Sequence, residues 1–144
     1  MVEGKRPSLV KPGVSTPFRI DFEWWQRNER DWRVYLRSLL CAEHQEVFAD
    51  MEEDQAVDWV DPVSAEVKAV DGIQNALMTH CVKQPGFLTS QTALVEAVFR
   101  LLLSNGNVPM SSNDLSARLN RPAETILRTL AGARVYKGIR LYLG

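Results

Sequence analysis

The sequence predicts a mainly α-helical fold that ends in a β-hairpin. In five segments between residues 23 and 131, apolar residues recur at steps of three and four, as on the buried face of an amphipathic helix. The last residues instead form two β-favouring runs, 134–136 and 139–143, separated by Lys137-Gly138. With 144 residues, 45% of them apolar, the chain is long enough to bury a core without disulfide bonds.

The chain divides into three predicted regions. Residues 1–17 form an irregular arm, because three prolines and two glycines interrupt them and no periodicity is visible. Residues 18–89 form an N-terminal helical region that we expect to dimerise, and residues 90–144 form a C-terminal domain. The start of the chain has no apolar signal segment and no apolar run reaches eighteen residues, which predicts a cytoplasmic protein without a membrane partner.

In the N-terminal region, residues 18–22 alternate apolar and polar side chains and predict a short strand or a docked extended segment. A single helix is predicted over residues 23–48, with an apolar stripe made of Phe22, Trp25, Trp32, Leu36 and Leu39. This region holds more aromatic surface than one helix hides against a small domain. We therefore expect a homodimer with Trp24 or Trp25 in its contact.

A second amphipathic helix is predicted from Asp61-Pro62, which caps and opens a helix well, to the turn at Pro85-Gly86. Its apolar stripe is Val63, Val67, Val70, Ile73, Leu77 and Cys81. Before it, Met51–Gln55 is a predicted acidic loop, and the wider acidic region 43–71 is a candidate surface for a basic protein partner. The next helix, 90–104, is apolar on most sides and is expected to be central.

The C-terminal third has a distinctive order of predicted elements. A short helix over 112–119 follows a capping segment, a tight break occurs at Asn120-Arg121, and a helix over 122–131 opens at Pro122 and ends at Gly132. The hairpin 134–143 completes this order. Together with helix 90–104, it resembles the winged helix-turn-helix superfamily over residues 90–144.

That resemblance implies that helix 122–131 enters the DNA major groove and that the hairpin is a wing contacting the backbone. The nucleic-acid-binding residues implied in this way are Arg121, Thr125, Arg128, Arg134, Lys137 and Arg140. Arginine reads guanine with two hydrogen bonds and threonine contacts base edges, while cations in the wing meet phosphates. The predicted function is a small DNA-binding protein that regulates transcription. The alternative is a non-catalytic interaction subunit that docks its winged helix on a protein partner.

The charge distribution agrees with an anionic partner at the C-terminal end. Residues 118–144 contain six basic side chains and one acidic one, a net +5, whereas the rest of the chain contains eleven basic and seventeen acidic side chains, a net −6. Ordinary solvated faces are the alternative explanation. A second basic group, formed by Arg27, Arg30, Arg33 and Arg37, has spacings that favour ion pairs with Asp31 and Glu29 on a solvated helix over binding of single-stranded nucleic acid.

No catalytic site and no cofactor are predicted, so we expect a protein that is not an enzyme. Cys41, His44, His80 and Cys81 are the residue types of a Cys₂His₂ zinc site. However, adjacent residues on one helix point about 100° apart, so His80 and Cys81 are not expected to share a metal. The sequence-based expectation is therefore that no metal is bound and that a chelator leaves the melting temperature unchanged. The chain also lacks a glycine-rich phosphate loop.

Overall fold

The computed structural model describes residues 11–48, 56–60 and 64–143, with residues 56–59 and 68–70 described by their backbone. The first ten residues of the predicted arm, the acidic loop 51–55 and the predicted helix start at Asp61-Pro62 lie outside the described residues. Within the described part, the fold is mainly helical with two small antiparallel sheets, which confirms the predicted mainly α class.

The described residues form seven α-helices, one 3₁₀ helix and five strands. The helices are α1 Phe22–Asn28, α2 Trp32–Ser38, α3 Ala42–Val47, α4 Gly72–Thr79, α5 Leu94–Ser104, α6 Ser112–Leu119 and α7 Ala123–Leu130, with a 3₁₀ helix at Cys81–Lys83. The strands are β1 Pro17–Ile20, β2 Ala56–Val60, β3 Val67–Asp71, β4 Met110–Ser111 and β5 Ile139–Leu141.

The first strand is the centre of a three-stranded sheet with the order β4-β1-β5. Phe18 pairs with Met110 on one side and with Leu141 on the other, and Ile20 pairs with Ile139. Because Phe18 and Ile20 are fully buried, this N-terminal strand is part of the same core as the C-terminal helices. The core therefore crosses the boundary predicted at residue 90. The short strand or extended segment predicted at 18–22 is a strand that ends at Ile20, and Phe22 instead opens α1.

The predicted hairpin over 134–143 is wrong. Its turn exists, because Lys137 and Gly138 both have positive φ angles and Ile139 donates a backbone hydrogen bond to Tyr136. However, residues 134–136 form no strand, and β5 pairs with β1 instead. Asp21, just after β1, donates its backbone N–H to the carbonyl of Gly138 at 2.7 Å. The partner of β5 is therefore the distant strand β1, and not the neighbouring residues 134–136 as predicted.

The predicted continuous helix 23–48 is also wrong, because it is three short helices. Glu29 ends α1 with an extended backbone, and its carboxylate accepts a hydrogen bond from the indole N–H of Trp25 at 3.0 Å. Trp25 is buried against Phe99 of α5, with ring centroids 5.3 Å apart. The second break falls at Cys41, which is extended and precedes α3. The first break lets α1 and α2 each turn buried apolar side chains to the core, whereas no residue of α3 is buried.

In the segment predicted as a helix from Asp61-Pro62 to Pro85-Gly86, residues Val67–Asp71 are instead strand β3, which pairs with the preceding β2 in an antiparallel hairpin. Val60 and Val67, which pair across it, are exposed, so Val67 does not belong to a buried helical stripe. The helix starts only at α4, where the Asp71 carboxylate accepts hydrogen bonds from the N–H groups of the first turn. Gly72 is therefore the first residue of a helix, where it avoids the cost expected in a helix interior.

The predicted C-terminal helices are confirmed, with α5 starting at Leu94, four residues later than predicted. The start of α6 is a capping box: the Ser111 hydroxyl accepts from the N–H of Asp114, and the Asp114 carboxylate accepts from the N–H of Ser111. Asn120 ends α6 in the left-handed conformation, which reverses the chain before α7.

We expect Ser111→Ala to lower the free energy of unfolding by about 1 kcal/mol, because it removes the side-chain acceptor for the N-terminal N–H groups of α6. Urea unfolding followed by circular dichroism measures this difference. Ser116→Ala, in the interior of the same helix, is the matched control and should be close to neutral, since alanine favours helix. Equal effects of the two changes would contradict the role of the cap.

Helices of the described residues all lack the length and apolar character needed to cross a membrane.

Candidate functional site

The outer face of α7 carries the residues predicted to read DNA. Ile126 and Leu130 point inward and are buried, and this anchors the helix on the core. Thr125 and Arg128 are exposed on the opposite side, as the sequence predicted. The guanidinium of Arg128 is exposed, and none of the ion pairs among the described residues involves it. Glu124 is exposed on the same helix and lowers the local positive charge.

Arg121, another predicted contact, has an internal role. Its guanidinium donates a hydrogen bond to the backbone carbonyl of Thr92 at 2.8 Å and is half-buried. It thereby ties the turn between α6 and α7 to the segment before α5. This side chain positions α7 and is less available for an anion than Arg128.

The three predicted wing cations lie at or near β5, and aromatic rings hold each of them. The Lys137 ammonium lies 4.0 Å from the centre of the Tyr35 ring, and Arg134 lies over Tyr136. Arg140 donates a hydrogen bond to the Asp21 carboxylate at 3.0 Å. Arg134 remains exposed at its position, whereas Lys137 is half-buried. Of the three cations predicted to contact phosphates, Arg134 is exposed, whereas Lys137 and Arg140 already have partners within the chain.

Two cations near this surface were missed by the sequence prediction. Lys11 of the arm lines an open groove of about 510 Å³ together with Leu127 and Arg128 of α7. Arg118 is exposed in the last turn of α6. Lys11 has no helical spacing to mark it, whereas Arg118 belongs to the basic residues 118–144 but precedes α7.

The second arginine group also differs from its prediction. Arg30 precedes α2, and Arg33 and Arg37 lie on it; with Val34 they line a separate groove of about 410 Å³. Arg33 forms an ion pair with Asp71, which caps α4, where the sequence predicted a pair with Glu29. This pair links α2 to α4, so at least one member of the group has a structural role.

The aromatic residues expected at a dimer contact are placed inside one chain. Trp25 is only 2% exposed, and its ring contacts those of Trp32, Tyr35 and Phe99. Trp24 is half-buried under the guanidinium of Arg140. A single chain therefore buries Trp25 without a partner, contrary to the expectation, and the homodimer stays a prediction.

A Cys–His cluster, which was not expected from the sequence, is formed by Cys41, His44, His80 and Cys81. One ligand atom from each of the four side chains lies within 4.8 Å of every other. The objection that adjacent residues of one helix diverge fails, because α4 ends at Thr79. His80 has a non-helical backbone, φ −133° and ψ −57°, and Cys81 begins the 3₁₀ helix. This bend turns both side chains toward the start of α3.

The distances within this Cys–His cluster are short. The two sulfur atoms are 3.3 Å apart, and the Nδ1 atom of His44 lies 3.3 Å from the Cys41 sulfur and 3.5 Å from the Cys81 sulfur. The Nδ1 atom of His80 lies 3.6 Å from the Cys41 sulfur. Both cysteines are free thiols, and burial raises the pKa of Cys81 to about 11. The cluster thus assembles two sulfur and two imidazole donors, which is a set that holds a transition metal.

Comparison of the chain with protein-family models, curated proteins and solved structures found no match.

Proposed function

We propose that this protein binds duplex DNA through the outer face of α7 and acts as a small transcriptional regulator. The observation that carries the proposal is the exposed pair Thr125 and Arg128 on a helix anchored by Ile126 and Leu130. One guanidinium and one hydroxyl on the same helix face are donors suited to base edges in the major groove.

The arrangement around α7 supports a helix-turn-helix mode of binding. Helix α6 ends in a left-handed residue, the turn is short, and α7 follows at once, while α5 supplies the buried face behind them. In the winged helix-turn-helix superfamily, the second helix of such a pair commonly enters the major groove. Because α6 and α7 follow one another in the same order as that pair, we expect α7 to enter the major groove.

Phosphate contacts would come from cations beside α7. Lys11 faces the same groove as Arg128, and Arg118 and Arg134 are exposed on the neighbouring α6 and on the segment before β5. Each side chain that neutralises a phosphate releases counterions and steepens the dependence of affinity on salt. We assign Lys137 a smaller part than the sequence predicted, because its ammonium already lies over the Tyr35 ring.

We expect Arg128→Ala to weaken binding to a preferred DNA duplex by about 1–3 kcal/mol, with much less effect on random duplex, because it removes a base contact. The preferred duplex is first selected by sequencing DNA recovered from a random pool on the purified full chain. Fluorescence anisotropy over a salt series then measures the affinities.

Arg30→Ala is the matched control, because it removes the same charge from a different groove. It should leave the affinity for the preferred duplex within a factor of about two, as expected for an exposed charge away from the contact. If the wild-type chain fails to bind duplex DNA at low salt, the proposal is wrong. The interaction-subunit alternative, with the acidic region 43–71 facing a basic protein, then becomes the better hypothesis.

A further inference from the structure

We infer that Cys41, His44, His80 and Cys81 bind one zinc ion in a closed tetrahedral site that joins the start of α3 to the end of α4. The inference concerns a part of the molecule separate from α7 and stands whether or not the protein binds DNA. It rests on the convergence of four donor atoms that lie on two segments almost forty residues apart in the chain.

The donor spacing fits one metal ion. A tetrahedral zinc with ordinary Zn–S and Zn–N bond lengths places its ligand atoms about 3.3–3.8 Å apart. The sulfur–sulfur distance is 3.3 Å, and the three sulfur–nitrogen distances given above are 3.3, 3.5 and 3.6 Å. Each of these four edges lies within about half an ångström of the ideal length, and the other two are no longer than 4.8 Å.

The backbone and the surrounding side chains support the same conclusion. The N–H group of Cys41 donates to the sulfur of Cys81 at 3.2 Å, an interaction that stabilises a thiolate. With Nδ1 of His80 turned to the sulfur atoms, its Nε2 atom lies 4.0 Å from the Glu43 carboxylate. A carboxylate on the outer nitrogen of a ligating histidine fixes the ring and its tautomer. Glu43 lies at ion-pair distance from this outer nitrogen of His80, beyond hydrogen-bond distance.

The donor chemistry selects zinc over the other common metals. Calcium and magnesium prefer oxygen ligands, whereas two thiolates and two imidazoles form a standard structural zinc set. A [2Fe–2S] cluster can also use two cysteines and two histidines, but each iron then takes one ligand type, so sulfur and imidazole donors are separated by the cluster. Here His44 contacts both sulfur atoms directly.

The site is structural in character, because four protein ligands leave no open position for water or substrate. Cys81 is buried and the other three residues are half-buried, so the cluster lies at the edge of the core. When zinc binds, the two thiols lose their protons to solvent and form two Zn–S bonds, and no oxidant or reductant is needed. The metal then fixes the relative position of the two segments that flank the β2–β3 hairpin.

The test measures the metal itself on the reduced full-length chain. After chelation and desalting, the protein is given one equivalent of zinc, desalted again and analysed by mass spectrometry for bound metal. Cobalt replaces zinc in a second sample, because tetrahedral thiolate-bound cobalt has a strong visible spectrum with a sulfur charge-transfer band. We expect one tightly held zinc per chain and a tetrahedral cobalt spectrum that zinc abolishes.

Cys41→Ala and His44→Ala should each lower the zinc affinity at least about 100-fold, measured by competition with a zinc-binding dye, since each removes a direct ligand. Glu46→Ala changes an exposed residue on the same helix α3 and should keep the wild-type affinity. The wild-type stoichiometry does not depend on how well the variants fold. A reduced wild-type chain that retains no zinc, or an octahedral cobalt spectrum without sulfur ligation, overturns the inference.

Discussion

Removing zinc from the loaded protein is expected to lower its melting temperature by about 10–15 °C, the opposite of the sequence-based expectation. A ligand that binds only the folded state at a thousand times its Kd stabilises that state by about 4 kcal/mol. In a domain of this size, 1 kcal/mol corresponds to a shift of about 3 °C. Thermal unfolding followed by circular dichroism, with and without a chelator, measures the shift.

The chelation experiment has two controls. Zinc added back in excess over the chelator should restore the higher melting temperature, whereas magnesium should not, because the cluster has no oxygen donor among its four ligands. The Cys41→Ala chain should melt at the same temperature in both conditions. If the melting temperature of the wild-type chain is the same with and without the chelator, the cluster does not stabilise the fold through a metal.

Gly138→Ala is expected to lower the free energy of unfolding by about 2–4 kcal/mol, the sum of backbone strain and overpacking. Gly138 has a φ of +74°, where a side chain costs energy. A methyl group there would also lie 2.9 Å from the Cβ atom of Trp25 and 3.1 Å from the carbonyl oxygen of Asp21. Neither atom is the end of a flexible side chain, so the buried Trp25 must shift. Equilibrium unfolding in urea measures the loss.

Gly132→Ala is the matched control for this prediction. Its φ is not positive, and an added Cβ would meet its nearest neighbour, the carbonyl oxygen of Arg128, at an ordinary 3.5 Å. This change should therefore be close to neutral. If Gly138→Ala were equally neutral, the close packing of Trp25 against the turn before β5 would be refuted.

The parts of the fold that could be predicted from sequence are those whose signals are local. Helices α6 and α7 are bounded by a capping serine, a left-handed asparagine and a proline, and each signal lies within a few residues of the element that it marks. The turn at Lys137-Gly138 was found for the same reason. Its partner strand was not found, because β1 is more than one hundred residues away and has no local link to β5.

The valine pattern between residues 56 and 71 fits two different structures. Valines that recur every three or four residues between 63 and 70 suit a helix, while the runs 56–60 and 67–71 each contain two valines, a residue that also favours strands. The residue types of the Cys–His cluster were noticed from the sequence. The bend at His80 that brings them together depends on where α4 stops, and helix ends are difficult to place without packing information.

For the candidate DNA-binding surface, the sequence predicted Thr125 and Arg128 because the apolar spacing of α7 determines which face is exposed. It did not predict the internal partners of Arg121, Lys137 and Arg140, which come from Thr92, Tyr35 and Asp21. Those partners are distant in sequence and become visible only in the folded chain.

The central position of β1 constrains how the protein folds as it is synthesised. Phe18 is synthesised more than one hundred residues before Leu141, which lies on one of its two neighbouring strands. Pairing over so long a separation carries a large entropic cost of loop closure and slows folding. During vectorial synthesis, β1 has to wait unpaired on that edge until residues 139–141 have left the ribosome. The pairing of β1 with β5 therefore forms after its pairing with β4 becomes possible, and a nascent chain that stops before residue 139 keeps only the short pairing of β1 with β4.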